Sequence, residues 1–287
     1  MQRKPTFLSG AWLSTLLLLS ASPLWAQAPL PPLFDSHSHY SKSDAERFTP
    51  EDIANKYERL NIIGAMISST PTEKTEALHQ AMPDRIAPFL SLYPNRAHKP
   101  VWMQRLSTLE DIEAKLDRFP YQGIGEFHIF RQEAYSPVLE RVVRIAEERN
   151  LSLQIHGDAT IINRVYQLAP DLTVIWAHLG TVPVPEYLDR VLARHPNLYI
   201  DTSVRDKLFT DEHGQLRPKW RDFFIKNQDR LLAAVDTYST QRWERLDQAV
   251  ANIRQWLNQL PEPARSKLAW QNGLDVYNMP IKPPITE

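Results

Sequence analysis

Eight short apolar runs punctuate the chain, each closed by turn residues: PPLFDSHSH (31–39), NIIGAMISS (61–69), IAPFLSLYP (86–94), GIGEFHIF (123–130), LSLQIHGD (151–158), VIWAHLG (174–180), LYIDTSV (198–204) and LLAAVDTY (231–238). β-Branched and aromatic residues dominate them, which predicts strands. The runs are nearly continuous in apolar character rather than alternating, as strands of a buried parallel sheet are. They recur about every 28 residues, roughly the size of one strand plus one returning helix.

Between the runs the apolar positions take a helical period. Thr49-Pro50-Glu51-Asp52 reads as an N-cap, then Pro at the first helical position and acids in the first turn. Ser136-Pro137 opens VLERVVRIAEER in the same way, with Leu139, Val142, Val143 and Ala146 on one face and Glu and Arg opposite. The stretches 184–196 and 241–260 repeat the pattern, and 264–279 predicts a further helix and a tail. Strand then helix, eight times over, predicts an α/β fold: a (β/α)8 TIM barrel formed by residues 29–287 as a single domain. An open eight-stranded, doubly wound sheet is the structural alternative.

In such a barrel chemistry sits at the C-terminal ends of the strands. The first run ends in Asp35-Ser36-His37-Ser38-His39, and strand alternation puts His37 and His39 on one face, where two imidazoles can share an ion. Taken alone, an H-x-H pair is more often a surface or loop feature. Glu126, His156, His178 and Asp236, however, fall near the ends of four further runs, where burial without a partner is costly. Six such residues on five strands predict a site for one or two divalent ions, with Zn²⁺ the best match to imidazole and carboxylate. His128 shares the face of Glu126 and reads as pocket lining or a structural histidine. Arg131, Arg205 and His213 fall in loops over the predicted mouth, where each would hold a substrate carboxylate or carbonyl or else stay solvated. His79, His98 and His195 read as surface residues. No Gly-rich phosphate loop or nucleophile-elbow pattern is present, so no dinucleotide site is implied.

Composition narrows the chemistry. Of 287 residues 43% are hydrophobic, which excludes wholesale disorder, and there is no Cys, which excludes disulfides, thiolate zinc sites and cysteine nucleophiles. A formal net charge of −1 gives no basic excess for phosphate backbones, so no nucleic-acid partner is expected and a small-molecule substrate is. Residues 1–28 have Arg3 and Lys4, the apolar run AWLSTLLLLS (11–20) and an Ala26-Gln27-Ala28 site, the layout of a signal peptide. The expectation is a periplasmic or secreted protein, cleaved near Ala28 and not stably inserted in the membrane; an uncleaved N-terminal anchor is the alternative.

FDSHSH, GIGEFH, LQIHGD, VIWAHLG and AAVDT, in this order, resemble the amidohydrolase superfamily in its amidohydrolase-related (family 2) branch, over essentially the whole predicted mature chain. The resemblance implies that His37, His39 and Asp236 bind the more buried metal. It also implies that His156 and His178 bind a second ion, or that one of them joins the first. Many binuclear members use a carboxylated Lys on the fourth strand. Here Glu126 stands in that run, similar to the fourth-strand Glu of TatD-like nucleases, and either bridges two ions or orients a ligating His.

The leading functional reading is a metal-dependent hydrolase that uses a metal-activated water on an amide, ester, lactone or phosphoester. Asp236 would carry the proton, and His178 or Arg205 would stabilise the developing oxyanion. A non-oxidative, metal-dependent decarboxylase of the same branch is the second reading, and a non-catalytic exported metal-binding protein the third.

Overall fold

The computed structural model describes residues 1–2 and 30–280. The signal-peptide reading of residues 1–28 therefore lies outside the described residues, apart from the first two. The eight strands are β1 (Leu33–Ser38), β2 (Ile62–Ser68), β3 (Ile86–Leu90), β4 (Gly123–His128), β5 (Ser152–His156), β6 (Val174–Trp176), β7 (Leu198–Asp201) and β8 (Leu231–Leu232). All neighbours pair in parallel, in chain order from β1 to β8. The ends of the sheet meet: Ser36 N–H donates to Ala233 O (3.2 Å) and Asp236 N–H to His37 O (2.7 Å), so the barrel is nearly closed. The Asp35 carboxylate strengthens this seam by accepting from Val235 N–H at 2.8 Å. The fold is a (β/α)8 barrel.

One main helix follows each strand: α1 (Pro50–Arg59), α2 (Glu73–Ala81), α3 (Ser107–Arg118), α4 (Pro137–Glu148), α5 (Ala159–Leu168), α6 (Pro185–Arg194), α7 (Pro218–Lys226) and α8 (Leu246–Leu257). Their starts follow the sequence signals. Thr49, Ser136 and Asp158 accept N–H bonds from the first turns of α1, α4 and α5, and Pro opens α1, α4, α6 and α7. The apolar face of α4 buries Leu139, Val142, Val143 and Ala146 against the sheet, each fully buried Leu or Val side chain contributing about 1.5–3 kcal/mol.

A second apolar cluster fills the base of the barrel. Phe34, Met66, Phe89, Ile175 and Leu232 meet Leu274, Tyr277 and Met279 from the C-terminal segment. Tyr277 stacks on Phe34 at 5.4 Å, and its hydroxyl donates to Ser36 O at 3.1 Å. This plug seals the N-terminal end of the strands and leaves the opposite end as the open one.

Three elements differ from the sequence expectation. β6 and β8 are shorter than the apolar runs, and within those runs His178 (φ +59°) and Asp236 (φ +58°) take left-handed backbone conformations past the strand ends. The helix expected over 241–260 is two pieces, Thr240–Glu244 and α8, parted at Arg245.

Candidate metal centre

β1 delivers its two histidines to the same spot. His37 is fully buried, and its Nε2 lies 3.2 Å from Nε2 of His39, just past the strand end. The far nitrogen of each ring is fixed by the protein. His37 Nδ1 donates to Asp201 Oδ2 at 2.9 Å, and His39 Nδ1 donates to Ser68 O. Such contacts select the tautomer that turns Nε2 inward. His178 follows the same rule: its Nδ1 lies 2.8 Å from Ser203 Oγ, while its Nε2 faces Glu126 Oε1 at 3.1 Å.

Glu126 on β4 is the centre of the second group. Its Oε1 accepts from His156 Nδ1 at 2.8 Å, and its Oε2 lies 3.3 Å from His128 Nε2 and 3.7 Å from His39 Nε2. His128 stacks on His156 with ring centroids 3.8 Å apart. The approach of β4 to β5 needs glycine at 125: φ is +138°, and a Cβ there would meet Gln154 O at 2.3 Å.

Charge in the site is set by competition between burial and neighbours. Burial alone would raise the Glu126 carboxyl, but hydrogen bonds from His128, His156 and His178 outweigh it and hold it well below its usual range. Burial also opposes a charge on His37, yet Asp201, Asp236 and Glu126 together push its imidazole up to about 10. Burial brings His128 down to about 4 despite Glu126. In Asp201 burial is overcome by His37, His178 and Ser203, and the carboxyl falls to about 2.

These residues fit a divalent cation. Zinc takes N and O ligands at about 2.0–2.2 Å in a tetrahedron, so neighbouring ligand atoms stand roughly 3.3 Å apart. His37 Nε2 to His39 Nε2 is 3.2 Å, and His39 Nε2 to Asp236 Oδ1 is 3.4 Å. Asp236 Oδ1 is buried and has no hydrogen-bond partner among the described residues. That oxygen faces His39 Nε2 at 3.4 Å and His37 Nε2 at 3.9 Å, so a cation held by all three atoms would satisfy it. Three groups of possible ligands come together: His37 with His39 and Asp236, Glu126 with His128 and His156, and His37 with His178 and Asp201.

The structure thus brings together His37, His39, Glu126, His156, His178 and Asp236, with His128 among them. All but the fully buried His37 line a cavity of about 460 Å³ at the open end of the barrel, which Arg205 also lines. Arg131 and His213 are elsewhere. Arg131 is exposed in a short turn, and its Nε donates to Thr160 at the start of α5. His213 is exposed at the tip of the loop joined by the Thr210–Leu216 bridge, which docks on α8 through Gln255 and Gln259. Both loops fold back onto the outer helices, so neither side chain reaches the cavity.

Asp201, on β7, escaped the sequence reading. Its carboxylate holds His37 Nδ1 on one oxygen and, on the other, the Ser203 hydroxyl that contacts His178. One residue therefore aims two of the histidines. Its only signal was a carboxylate closing an apolar run in LYIDTSV. Lys99, Arg96 and Tyr93, which also line the cavity, carried no signal in the sequence pattern.

A family model described as amidohydrolase matches residues 35–279. No curated protein matches the chain. Solved structures with the same architecture include a candidate 2-pyrone-4,6-dicarboxylic acid hydrolase from Pseudomonas putida, at TM-score 0.60 and 13% identity over 88% of this chain and 99% of that one. An amidohydrolase from Burkholderia multivorans with bound zinc matches at TM-score 0.56 and 13% identity, over 87% and 100% of the two chains. A TatD homologue from Escherichia coli matches at 0.59 and 17%, over 85% and 97%. At these identities the likeness is one of fold.

Proposed function

The chain belongs to the amidohydrolase family, and from that premise we propose that it is a metal-dependent hydrolase acting on an amide, ester, lactone or phosphoester bond of a small molecule. The observation that carries the reading is Asp236 Oδ1, a buried oxygen with no hydrogen-bond partner among the described residues, set beside the facing Nε2 atoms of His37 and His39. His37, His39 and Asp236 would hold one ion, and Glu126, His156 and His178 a second, with Glu126 reaching toward both as in the TatD-like arrangement. Zinc is the ion we assign. When bound, such an ion activates water near neutral pH and polarises the scissile carbonyl or phosphoryl oxygen.

The chain's own groups do the rest. Asp236 takes the proton from the attacking water and returns it to the leaving group. Burial, which brings His128 down to about 4, leaves it a neutral imidazole beside Glu126 near pH 7. Asp201 and Ser68 keep His37 and His39 turned inward, and Arg205, tied through Nε to His178 O at 3.0 Å, lines the cavity and would stabilise the developing oxyanion. We also propose export, with a mature N-terminus near Ala28; N-terminal sequencing of native protein that begins at Met1 would contradict it.

Metal analysis combined with an activity screen tests the function. Purified protein should retain about two divalent ions per chain, and a chelator should abolish turnover. Glu126→Gln should lower the content toward one ion. One ion per chain both before and after the substitution would favour the decarboxylase. Metal-free protein with full hydrolytic activity would end the reading.

A further inference from the structure

Three cationic side chains line the cavity: Arg96, Lys99 and Arg205. The only carboxylates among its described lining residues are Glu126 and Asp236, both part of the metal centre. Two of the cations are tied to backbone, Arg96 Nη2 to Tyr238 O at 3.2 Å and Arg205 Nε to His178 O at 3.0 Å. Lys99 is different. It is partly buried, and among the described residues its ammonium has no hydrogen-bond or ion-pair partner. Burial lowers its pKa, and the charges that oppose this include Glu126 and Asp236. Once those carboxylates serve a cation, the cavity offers Lys99 no anion of the chain.

A desolvated ammonium without a counter-ion is costly, and a ligand anion removes that cost. Val204 and Tyr238, both exposed at the same mouth, add apolar wall. The volume suits one small molecule. We propose that Lys99, with Arg96 beside it in the chain, anchors a carboxylate or phosphate group that the substrate carries away from the bond to be cut. The substrates are then small anionic molecules with an apolar or aromatic body. The word substrate rests on the hydrolase reading; the anion site does not.

Calorimetric titration of the purified, metal-containing protein with butyrate, propylphosphonate and neutral butyramide tests this. At least one anion should bind tenfold or more tightly than butyramide. Tighter butyrate marks a carboxylate substrate and tighter propylphosphonate a phosphate ester; either meets the expectation. Lys99→Met should weaken anion binding about tenfold, while Lys99→Arg keeps it. Lys219→Met, which removes an exposed lysine paired with Glu186, should leave it unchanged. If Lys99→Met binds the anions as the wild type does, the metal alone holds them and the proposal is overturned. It is overturned also if the wild type does not discriminate against butyramide. Lys99-dependent anion binding in a protein that hydrolyses nothing would sustain the site and sink the hydrolase. Hydrolysis without charge preference would do the reverse.

Discussion

Asp236 combines three properties that a proton carrier needs: it is buried, its Oδ1 has no hydrogen-bond partner among the described residues, and that oxygen lies 3.4 Å from a histidine nitrogen of the candidate metal centre. Asp236→Asn keeps the shape and one ligating oxygen. Fold and most of the metal should survive, while kcat falls by roughly 10²–10⁴-fold with little change in KM. Steady-state kinetics beside metal analysis checks this, and a wild-type kcat in the metal-loaded variant would remove Asp236 from the mechanism. Asp201 acts through others. Asp201→Asn weakens the hold on His37 Nδ1 and on Ser203, so metal affinity should drop about 10–100-fold. Competition with a chromogenic chelator measures it; unchanged affinity would make Asp201 a packing residue only. The two aspartates also show what a sequence reveals at this scale. Both close apolar runs, but the role of Asp201 is defined by a partner 164 positions away, and no local pattern encodes that pairing. The motif histidines were legible because their type alone announces ligand chemistry.

At the scale of elements, hydrophobic period located all eight strands and placed α1, α4, α6 and α8 along the chain, because burial on both strand faces and on one helix face leaves a direct trace in the sequence. It overran β6 and β8, since nothing in VIWAHLG or LLAAVDTY marks His178 or Asp236 as left-handed. Those two turns redirect the chain where the site needs a side chain off the strand. The same limit explains Arg131 and His213: their loops were placed over the mouth by order along the chain, while the fold-back onto α5 and α8 depends on contacts with Thr160 and Gln255. Packing between helices carries a pH prediction. His195, at the end of α6, stacks on Tyr166 of α5 at 4.3 Å, and its Nε2 donates to Asn163 at 2.8 Å. Burial first, then Arg194, holds its pKa below the ordinary 6.5. The folded chain therefore binds this proton less readily than the unfolded chain, so the contribution of His195 is intact above pH 6.5 and is lost as pH falls below it. In urea melts from pH 7.5 to 5, His195→Gln should lose less stability than the wild type. Parallel curves for the two proteins would discount this contact.

Considered as a whole, the barrel draws its candidate ligands from the ends of β1, β4, β5, β6 and β8, so a cation would tie the first strand to the last. That seam has no regular strand ladder among the described residues. Between the ends of the sheet it rests on Ser36 N–H to Ala233 O, Asp236 N–H to His37 O, the Asp35 bond to Val235 and two bonds between His39 and Thr237, while β8 itself spans two residues. A ligand set assembled only in the folded chain makes metal affinity part of folding stability. Zinc at a free concentration of about 1,000 Kd would add roughly 4 kcal/mol. For a chain of this size that corresponds to a rise in Tm of roughly 8–16 °C, at about 2–4 °C per kcal/mol. Thermal melts with and without a strong chelator, then with zinc restored, should show this shift and its reversal. His37→Ala and His39→Ala should melt near the chelated wild type and respond little to zinc, since both remove a nitrogen from the group that straddles the seam. Glu126→Gln should keep most of the response, because His37, His39 and Asp236 would remain. A Tm indifferent to chelator and zinc would mean that the seam holds without an ion and that these side chains do not form a metal centre.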